Sequence, residues 1–496
     1  MNKNKIMCAT VNGEQDVLLR TVKRCRSANQ SYVLAFASQR YGMTQSIVVQ
    51  VGQCGNQIGC RFWDLVLREH MLLEDRSTTD MAVWNFFRMA QNGKDELRAR
   101  AVMVDMEEGV INSIRRTRLG GMLSNHQFVT DVSGSGNNWA VGFHEYGTKY
   151  REKIAEHIRK EAEHCSCLQT FFLLHSLGGG TGSGLGTAVL EMLSEEFPKV
   201  FRFCVPVLPS AVDDVVTSPY NTVFALEKIA SFADFSCPAE NEALISICDR
   251  VAKAGASIKQ TVASSASSIL GQKARPFDQM NNIVANLLIH MTSSARFSGS
   301  LNVDMNEVCT NLVPYPKLHF LVSSITPLYS LLDVNLPARR LDQMFTDALS
   351  PNHQLVQCDI RKGTMLSCAL LARGDVCMAD MRRNLERLRA GLKFVHWNQD
   401  GWKTGLCSAA PVHQPYSLLT LCNTSSFHHV LCRLRSGFLK LYNRKAHMHH
   451  FLQVPSMEES HFQEALESLA ELSALYRSME GTDFSKLTRP RIKVLL

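Results

Sequence analysis

Seven consecutive residues, Gly178-Gly179-Gly180-Thr181-Gly182-Ser183-Gly184, form the segment of this chain best suited to chemistry. Glycine lets backbone approach an anion closely and take positive φ. Successive amide N–H groups then make a concave anion site. A helix opening behind the segment adds the positive end of its dipole. Thr181 and Ser183 supply hydroxyl donors. The segment therefore reads as a phosphate-binding loop. A flexible glycine linker is the competing reading, but strand-like and helix-like patterns flank the segment too tightly for one. Two familiar nucleotide motifs fail here. Gly179 and Gly184 have the Walker A separation, yet Leu185 stands where lysine is required. The same Leu185 takes the place of the third glycine in G-x-G-x-x-G after Gly180 and Gly182. P-loop NTPases and Rossmann dehydrogenases are thus excluded on motif grounds.

The elements that must hold this loop are legible on both sides. Residues 46–51 (Ser-Ile-Val-Val-Gln-Val) form an apolar run that stops at Gly52, the pattern of a buried strand. Residues 56–70 carry Ile58, Phe62, Leu65 and Val66 at helical spacing. A strand over 101–104 ends in Asp105-Met106-Glu107-Glu108-Gly109, and a third covers 170–174. The helix after the glycine loop carries Leu185, Val189, Leu193 and Phe197 and stops at Pro198. Another strand spans 201–207. Strands alternating with helices predict a mostly parallel α/β sheet. The turns Gly52-Gln53-Cys54-Gly55-Asn56-Gln57 and Ser133-Gly134-Ser135-Gly136-Asn137-Asn138 then join the glycine loop at one sheet edge, where three loops can share a ligand.

Farther along, 279–291 is apolar on most sides, like a helix buried between domains. A second α/β region begins at Leu318. Residues 251–276 shift to Ser, Ala and Lys, as a surface insertion does. The end is helical: Ser456-Met457-Glu458-Glu459 fits a capping box, and Phe462, Leu466, Leu469, Leu472 and Tyr476 make one stripe. The chain accordingly divides into a basic, disordered extension (1–42), a nucleotide-binding domain (43–242), a core helix with an intermediate domain (243–420) and a helical C-terminal domain (421–496). Lys3, Lys5, Arg20, Lys23, Arg24, Arg26 and Arg40 against Glu14 and Asp16 would suit an organelle transit peptide. A disordered extension, or a start codon placed too early, is favoured, since Met43 immediately precedes the first strand.

Net charge is +7 over 496 residues, without a dense Lys/Arg block interleaved with aromatics. That excludes a nucleic-acid groove. No apolar run reaches the roughly 18 residues a membrane helix needs. The 16 cysteines lack framework spacing and fit a reduced, cytoplasmic chain. His164-Cys165-Ser166-Cys167 has no second pair at finger spacing. His447, His449, His450 and His461 could bind zinc, but a surface helix accounts for them. Cys54 has no histidine partner to make it a nucleophile.

Several of these segments together resemble the tubulins: residues 52–59, Gly136-Asn137-Asn138-Trp139-Ala140, residues 178–184, Asn311-Leu312-Val313-Pro314-Tyr315-Pro316 and Arg444-Lys445-Ala446-His447. The resemblance runs from Met43 to about Met479. Residues 43–46, 131–139, 213–221 and 293–297 look like the family's epsilon branch. It implies an α/β, tubulin-like three-layer GTPase domain, a second α/β intermediate domain and a C-terminal helical hairpin. It also implies GTP or GDP with Mg²⁺. Gly52, Gln53 and Cys54 would lie beside the phosphates and Gln57 near base or sugar. Asn137, Ser176 and Gly178, Gly179, Gly180, Thr181 and Gly182 would surround the phosphates. Asp105 and Glu107 would stand near the magnesium, a hard cation that takes oxygen ligands and keeps waters. Asn241 and Asn281 would read the base, each offering donor and acceptor. Phe277 takes the place of the Tyr that stacks on guanine. Family members often carry a ribose-binding acid before Pro-Tyr-Asn. Here Ser218 holds that place, and a lost charged hydrogen bond of about 1.5–3 kcal/mol would weaken binding.

Residues 301–307 resemble the alpha-tubulin segment that reaches the neighbouring subunit's nucleotide. Glu307 would act there in trans, supported by Asp304, three residues away and so on the same helix face. The stretch 326–345 looks shorter than the lateral loop of alpha- and beta-tubulin. Residues 485–496 carry four Lys/Arg and no acid, unlike the acidic tails of those chains. The resemblance therefore implies a specialised structural protein of the centriole, centrosome, basal body and cilium. Its expected roles are centriole maturation, microtubule organisation and the centrosome cycle. Expected partners are delta-tubulin, alpha/beta-tubulin and centriolar proteins. A free-standing GTPase switch, a non-polymerising nucleotide-binding module and a bacterial division GTPase are the rival readings. The first needs a complete hydrolytic site in one chain. The second would suit the shortened lateral loop. The third lacks the turn 53–57 and the C-terminal helical pair.

Overall fold

β1 (Gln45–Val51) is buried along its whole length, as an apolar strand covered on both faces by helices must be. The computed structural model describes residues 44–71, 81–90, 97–210, 213–258, 277–299, 301–328, 340–412 and 414–480. At Gly52 the chain passes straight into α1 (Gly52–Met71). There follow β2 (Ala101–Asp105), α2 (Glu108–Arg115), β3 (Phe128–Thr130), α3 (Gly147–Glu163), β4 (Leu168–Ser176), α4 (Gly186–Glu196), β5 (Phe201–Leu208) and α5 (Ser218–Phe232). Two short strands, β6 (Phe235–Ser236) and β7 (Ala239–Glu240), complete the first sheet. Its strands run parallel in the order β3-β2-β1-β4-β5-β6, with β7 also beside β5. Val49 lies opposite Val102 on one side and Leu173 on the other. The strand order reverses between β1 and β4. In open α/β sheets ligands bind at such a switch point, beyond the strands' carboxyl ends.

The second unit begins with α6 (Asn241–Ile258), α7 (Asp278–Met291) and α8 (Met305–Leu312). Next come β8 (Val322–Thr326), α9 (Leu341–Ala348), β9 (Thr364–Gly374), α10 (Met378–Arg389), β10 (Lys393–Phe394), β11 (Trp402–Cys407) and β12 (Tyr416–Thr424). These strands form a mixed sheet, β8-β12-β9-β10, with β11 also on β9. Residues 280–291 of α7 are all buried. The helix packs on α1 and on the second sheet, as its all-round apolar pattern requires. The sheets are also tied directly: Ser236 N–H donates to His319 O at 2.9 Å, and Leu321 N–H to Ser236 O at 2.8 Å.

The chain ends in α11 (Phe427–Tyr442), α12 (Met448–Leu452) and α13 (Glu459–Ser478). Tyr220 and Phe224 of α5 meet Phe438, Phe451 and Phe462 at ring separations of 4.9–6.2 Å. Phe462, Leu469, Leu472 and Tyr476 are buried and Leu466 partly so. The expected cap shifts by two residues. Glu458, not Ser456, is the N-cap, and its N–H donates to His461 Nδ1 at 2.9 Å. The imidazole reaches back as a glutamate would in a capping box.

Two expectations about the glycine segments are corrected. Residues 52–57 are the first turn of α1, not a free loop. Residues 181–185 are a π-helical turn that runs into α4. In both, the first-turn N–H groups have no partner within the helix, so the segments keep their donors while gaining rigidity. α6 extends to Ile258, so helix covers the start of the expected insertion. The rest of 251–276, the extension 1–42, residues 329–339 of the shortened loop and the tail 485–496 lie outside the described residues.

Candidate functional site

A cavity of about 590 Å³ opens at the carboxyl ends of β1 and β4. Its floor is built from the two glycine segments. Gly52 has φ of 73°, and a Cβ there would sit 3.1 Å from Gly182 N. Only glycine lets the turn into α1 come this close to the phosphate turn. Gly52 itself stands behind the lining, while Gln53, Cys54 and Gln57 face the cavity. Ser176, Gly178, Gly179, Gly180, Thr181 and Gly182 line it from the other side. Burial pushes the Cys54 thiol up to about 12, which keeps it protonated and no nucleophile.

The loop 133–138 closes the phosphate end. Asn137, at φ of 55°, lines the cavity. Ser135 Oγ lies 3.0 Å from Thr181 Oγ1. Asn221, fully buried on α5, binds two of the three turns: its Nδ2 donates to Asn137 O at 2.8 Å and Gly178 O at 2.9 Å, while its Oδ1 accepts from Trp139 N at 2.9 Å. Both ends of one amide are thereby used to fix two phosphate loops against each other.

Asp105 at the end of β2 and Glu107 just after it also line the cavity. Asp105 is 3% exposed. Its Oδ1 accepts from Glu107 N at 3.3 Å, and its Oδ2 is buried without a partner. Burial, helped by the Glu107 charge, pushes this carboxyl up to about 6. An orphaned carboxylate oxygen beside an exposed second acid fits a cation that brings its own waters. Among the described residues no group of three or more His, Cys, Asp or Glu could hold a metal.

At the far end stand Asn241, Phe277 and Asn281. Asn241 Nδ2 approaches Asp213 Oδ2 at 3.4 Å, and Asn281 Nδ2 donates to Gln57 Oε1 at 3.2 Å. Phe277 is 59% exposed with φ of 71° at the start of α7, a ring left free to stack. Sequence reasoning missed the wall formed by Leu244, Ile245, Met280 and Val284, and the acids Asp213 and Asp214. The acids carried a signal: they follow β5 as Glu107 follows β2. Ser218 is buried at the start of α5 and does not line the cavity.

Asp304 and Glu307 are not part of this cavity. Their i,i+3 spacing keeps them near one another at the start of α8, where the Glu307 charge acts on Asp304. Asp304 is the N-cap of α8, accepting from Met305 N at 2.8 Å and approached by Thr44 Oγ1 at 3.4 Å. Glu307 is exposed in the first turn and pairs with Lys403 of β11.

Comparison with known proteins now decides the family. The Tubulin/FtsZ family GTPase-domain model matches residues 45–249, and the tubulin C-terminal domain model matches 316–436. The chain is 50% identical over 475 residues to the tubulin epsilon chain of Mus musculus, covering 92% of this chain and all of that one. It is 51% identical over 460 residues to the tubulin epsilon chain of Homo sapiens, covering 89% and 97%. This chain belongs to the tubulin family. A tubulin beta chain of Encephalitozoon cuniculi is also similar, at 30% identity over 446 residues and 88% of this chain. The protein is thus a tubulin-type cytoskeletal protein of epsilon type, and its GTPase domain implies binding of GTP or GDP. Among the described residues of this tubulin, no helix is long and apolar enough to cross a membrane.

Proposed function

We propose that this tubulin holds GTP with Mg²⁺ in the cavity and that hydrolysis is completed by Glu307 of an adjoining subunit. Phosphates would lie between the turns at Gln53, Asn137 and Gly178–Gly182, and the base between Phe277, Asn241 and Asn281. Asp105 and Glu107 would hold the cation through its waters, and the cation would neutralise phosphate charge. Asp213 and Asp214 would offer the ribose the carboxylate that Ser218 lacks.

One observation carries the trans reading. The cavity opens at Ser176, the carboxyl end of the nine-residue β4. α8 sits at the other end: Asn306 Nδ2 donates to Gln169 Oε1 at 2.8 Å, near the start of β4. Nine strand residues span about 30 Å. A chain cannot bring Glu307 to its own nucleotide, whereas head-to-tail contact would bring it to the next subunit's. There its carboxylate would orient or deprotonate the attacking water. Delta-tubulin and alpha/beta-tubulin are the proposed neighbours. The cellular role is that of a centriole, centrosome and basal-body component in centriole maturation and microtubule organisation.

The test compares GTP turnover of wild type and Glu307→Ala in mixed assemblies with partner tubulin. The variant should retain nucleotide and lose turnover at contacts where it supplies the glutamate. Equal turnover refutes the trans role. Extraction and chromatography of purified monomer should return guanine nucleotide; its absence removes the binding role as well.

A further inference from the structure

His175 lies one residue before Ser176, in the last part of β4, and does not line the cavity. It is fully buried. Its Nδ1 is 2.8 Å from the carbonyl oxygen of Gly182. A carbonyl only accepts, so Nδ1 carries the hydrogen. Its Nε2 is buried without a partner. Burial lowers the imidazole to about 4, so it stays uncharged at neutral pH. The ring is also a spacer for the helix: a Cβ at Gly186 would stand 2.8 Å from Nδ1. α4 therefore descends directly onto this imidazole.

The peptide unit is planar. Fixing the Gly182 carbonyl toward the sheet fixes the plane that joins Gly182 to Ser183, and with it the pitch of the π turn. Gly180, Thr181 and Gly182, at the head of that turn, line the cavity. A glycine-rich turn has little conformational preference of its own, so an external anchor must choose one shape. We propose that His175 is a positioning residue for the nucleotide: without lining the cavity itself, its Nδ1–H sets the shape of the phosphate turn. This rests on the guanine-nucleotide reading of the cavity.

The test separates donor position from polarity. Asparagine places its amide nitrogen near where Nδ1 stands, whereas the longer glutamine places it near Nε2. Full-length wild type, His175→Asn, His175→Gln and His175→Leu are loaded with a fluorescent GTP analogue, and its release is timed. Thermal midpoints of the nucleotide-free chains are measured alongside. Gln and Leu should release nucleotide about tenfold faster, the equivalent of one net hydrogen bond. Asn should stay within about twofold of wild type. A general packing role would make Asn and Gln behave alike, and that result overturns the proposal. So does wild-type release from Leu. A wild type that binds no guanine nucleotide refutes the reading of the cavity instead.

Discussion

Glu69 near the end of α1 is the residue whose loss should loosen the nucleotide-binding unit from the second sheet. Its Oε1 lies 2.9 Å from Arg373 of β9 and its Oε2 2.5 Å from Arg296 just beyond α7. All three side chains are at most 2% exposed. Burial pushes the Glu69 carboxyl up, but Arg296 and Arg373, by charge and hydrogen bonding, outweigh it and hold it at about 2. An unfolded glutamate titrates near 4.3, so the depression corresponds to about 3 kcal/mol. The sign follows from linkage. A depressed acid stabilises above its unfolded pKa, and that share is lost as pH falls from about 4.3 through about 2. Glu69→Gln leaves two buried guanidinium groups without a counter-ion, which costs about 3–5 kcal/mol. Urea midpoints of wild type and variant at pH 7, 4 and 2.5 measure this. The gap should be widest at pH 7 and shrink toward pH 2.5. A cost below about 1 kcal/mol at pH 7, or a gap unchanged by pH, would refute the electrostatic account.

Two further outcomes concern the nucleotide. Phe277→Ala removes the ring proposed to stack on guanine, worth about 1–3 kcal/mol, so titration calorimetry should show GTP binding weakened roughly 5- to 150-fold. Phe277→Tyr should bind as wild type does, and an unchanged Ala variant would place the base elsewhere. Asn221→Asp keeps the shape but turns the amide donor into an acceptor facing the carbonyls of Asn137 and Gly178. Leaving these unpaired costs about 1–3 kcal/mol each, so the variant should lose nucleotide on gel filtration, and full retention would count against the clamp.

Much of the nucleotide-binding unit was legible because strand, turn and helix are local signals. β1, β2, β4 and β5 lie where short apolar runs placed them, and their C-terminal turns converge as a parallel sheet requires. The failed G-x-G-x-x-G match concealed one thing, the strand order. A motif reports how phosphate is gripped, while strand order reports how helices pack on a sheet; the two need not travel together. The helical state of 52–57 and 181–185 was hidden because glycine is costly in a helix interior, whereas in a first turn its free N–H is an asset. The partners of buried polar groups were beyond reach. Lys403 meets Glu307 across 96 residues of sequence, and nothing local marks Arg373 as the partner of Glu69.

The same long-range pairing bears on how hydrolysis would be timed. Glu307 is held by Lys403 before any neighbour arrives, and Tyr315, shortly after α8, forms an exposed edge-to-face pair with Trp397 at 5.7 Å. The helix that carries this acid meets the amino-end edge of the first sheet, where Asn306 bonds Gln169, while the proposed phosphate turns and their acids occupy the carboxyl-end edge. Two unlike edges on one chain make a heterologous contact, which remains open to a further subunit unless rotation closes a ring. On the proposed reading, an incoming triphosphate competes with Glu307 for the Lys403 ammonium. The carboxylate would then be released to the attacking water only where a nucleotide has arrived. The lysine would serve as a check on the contact as well as a salt bridge, and the chain by itself would hold GTP without spending it.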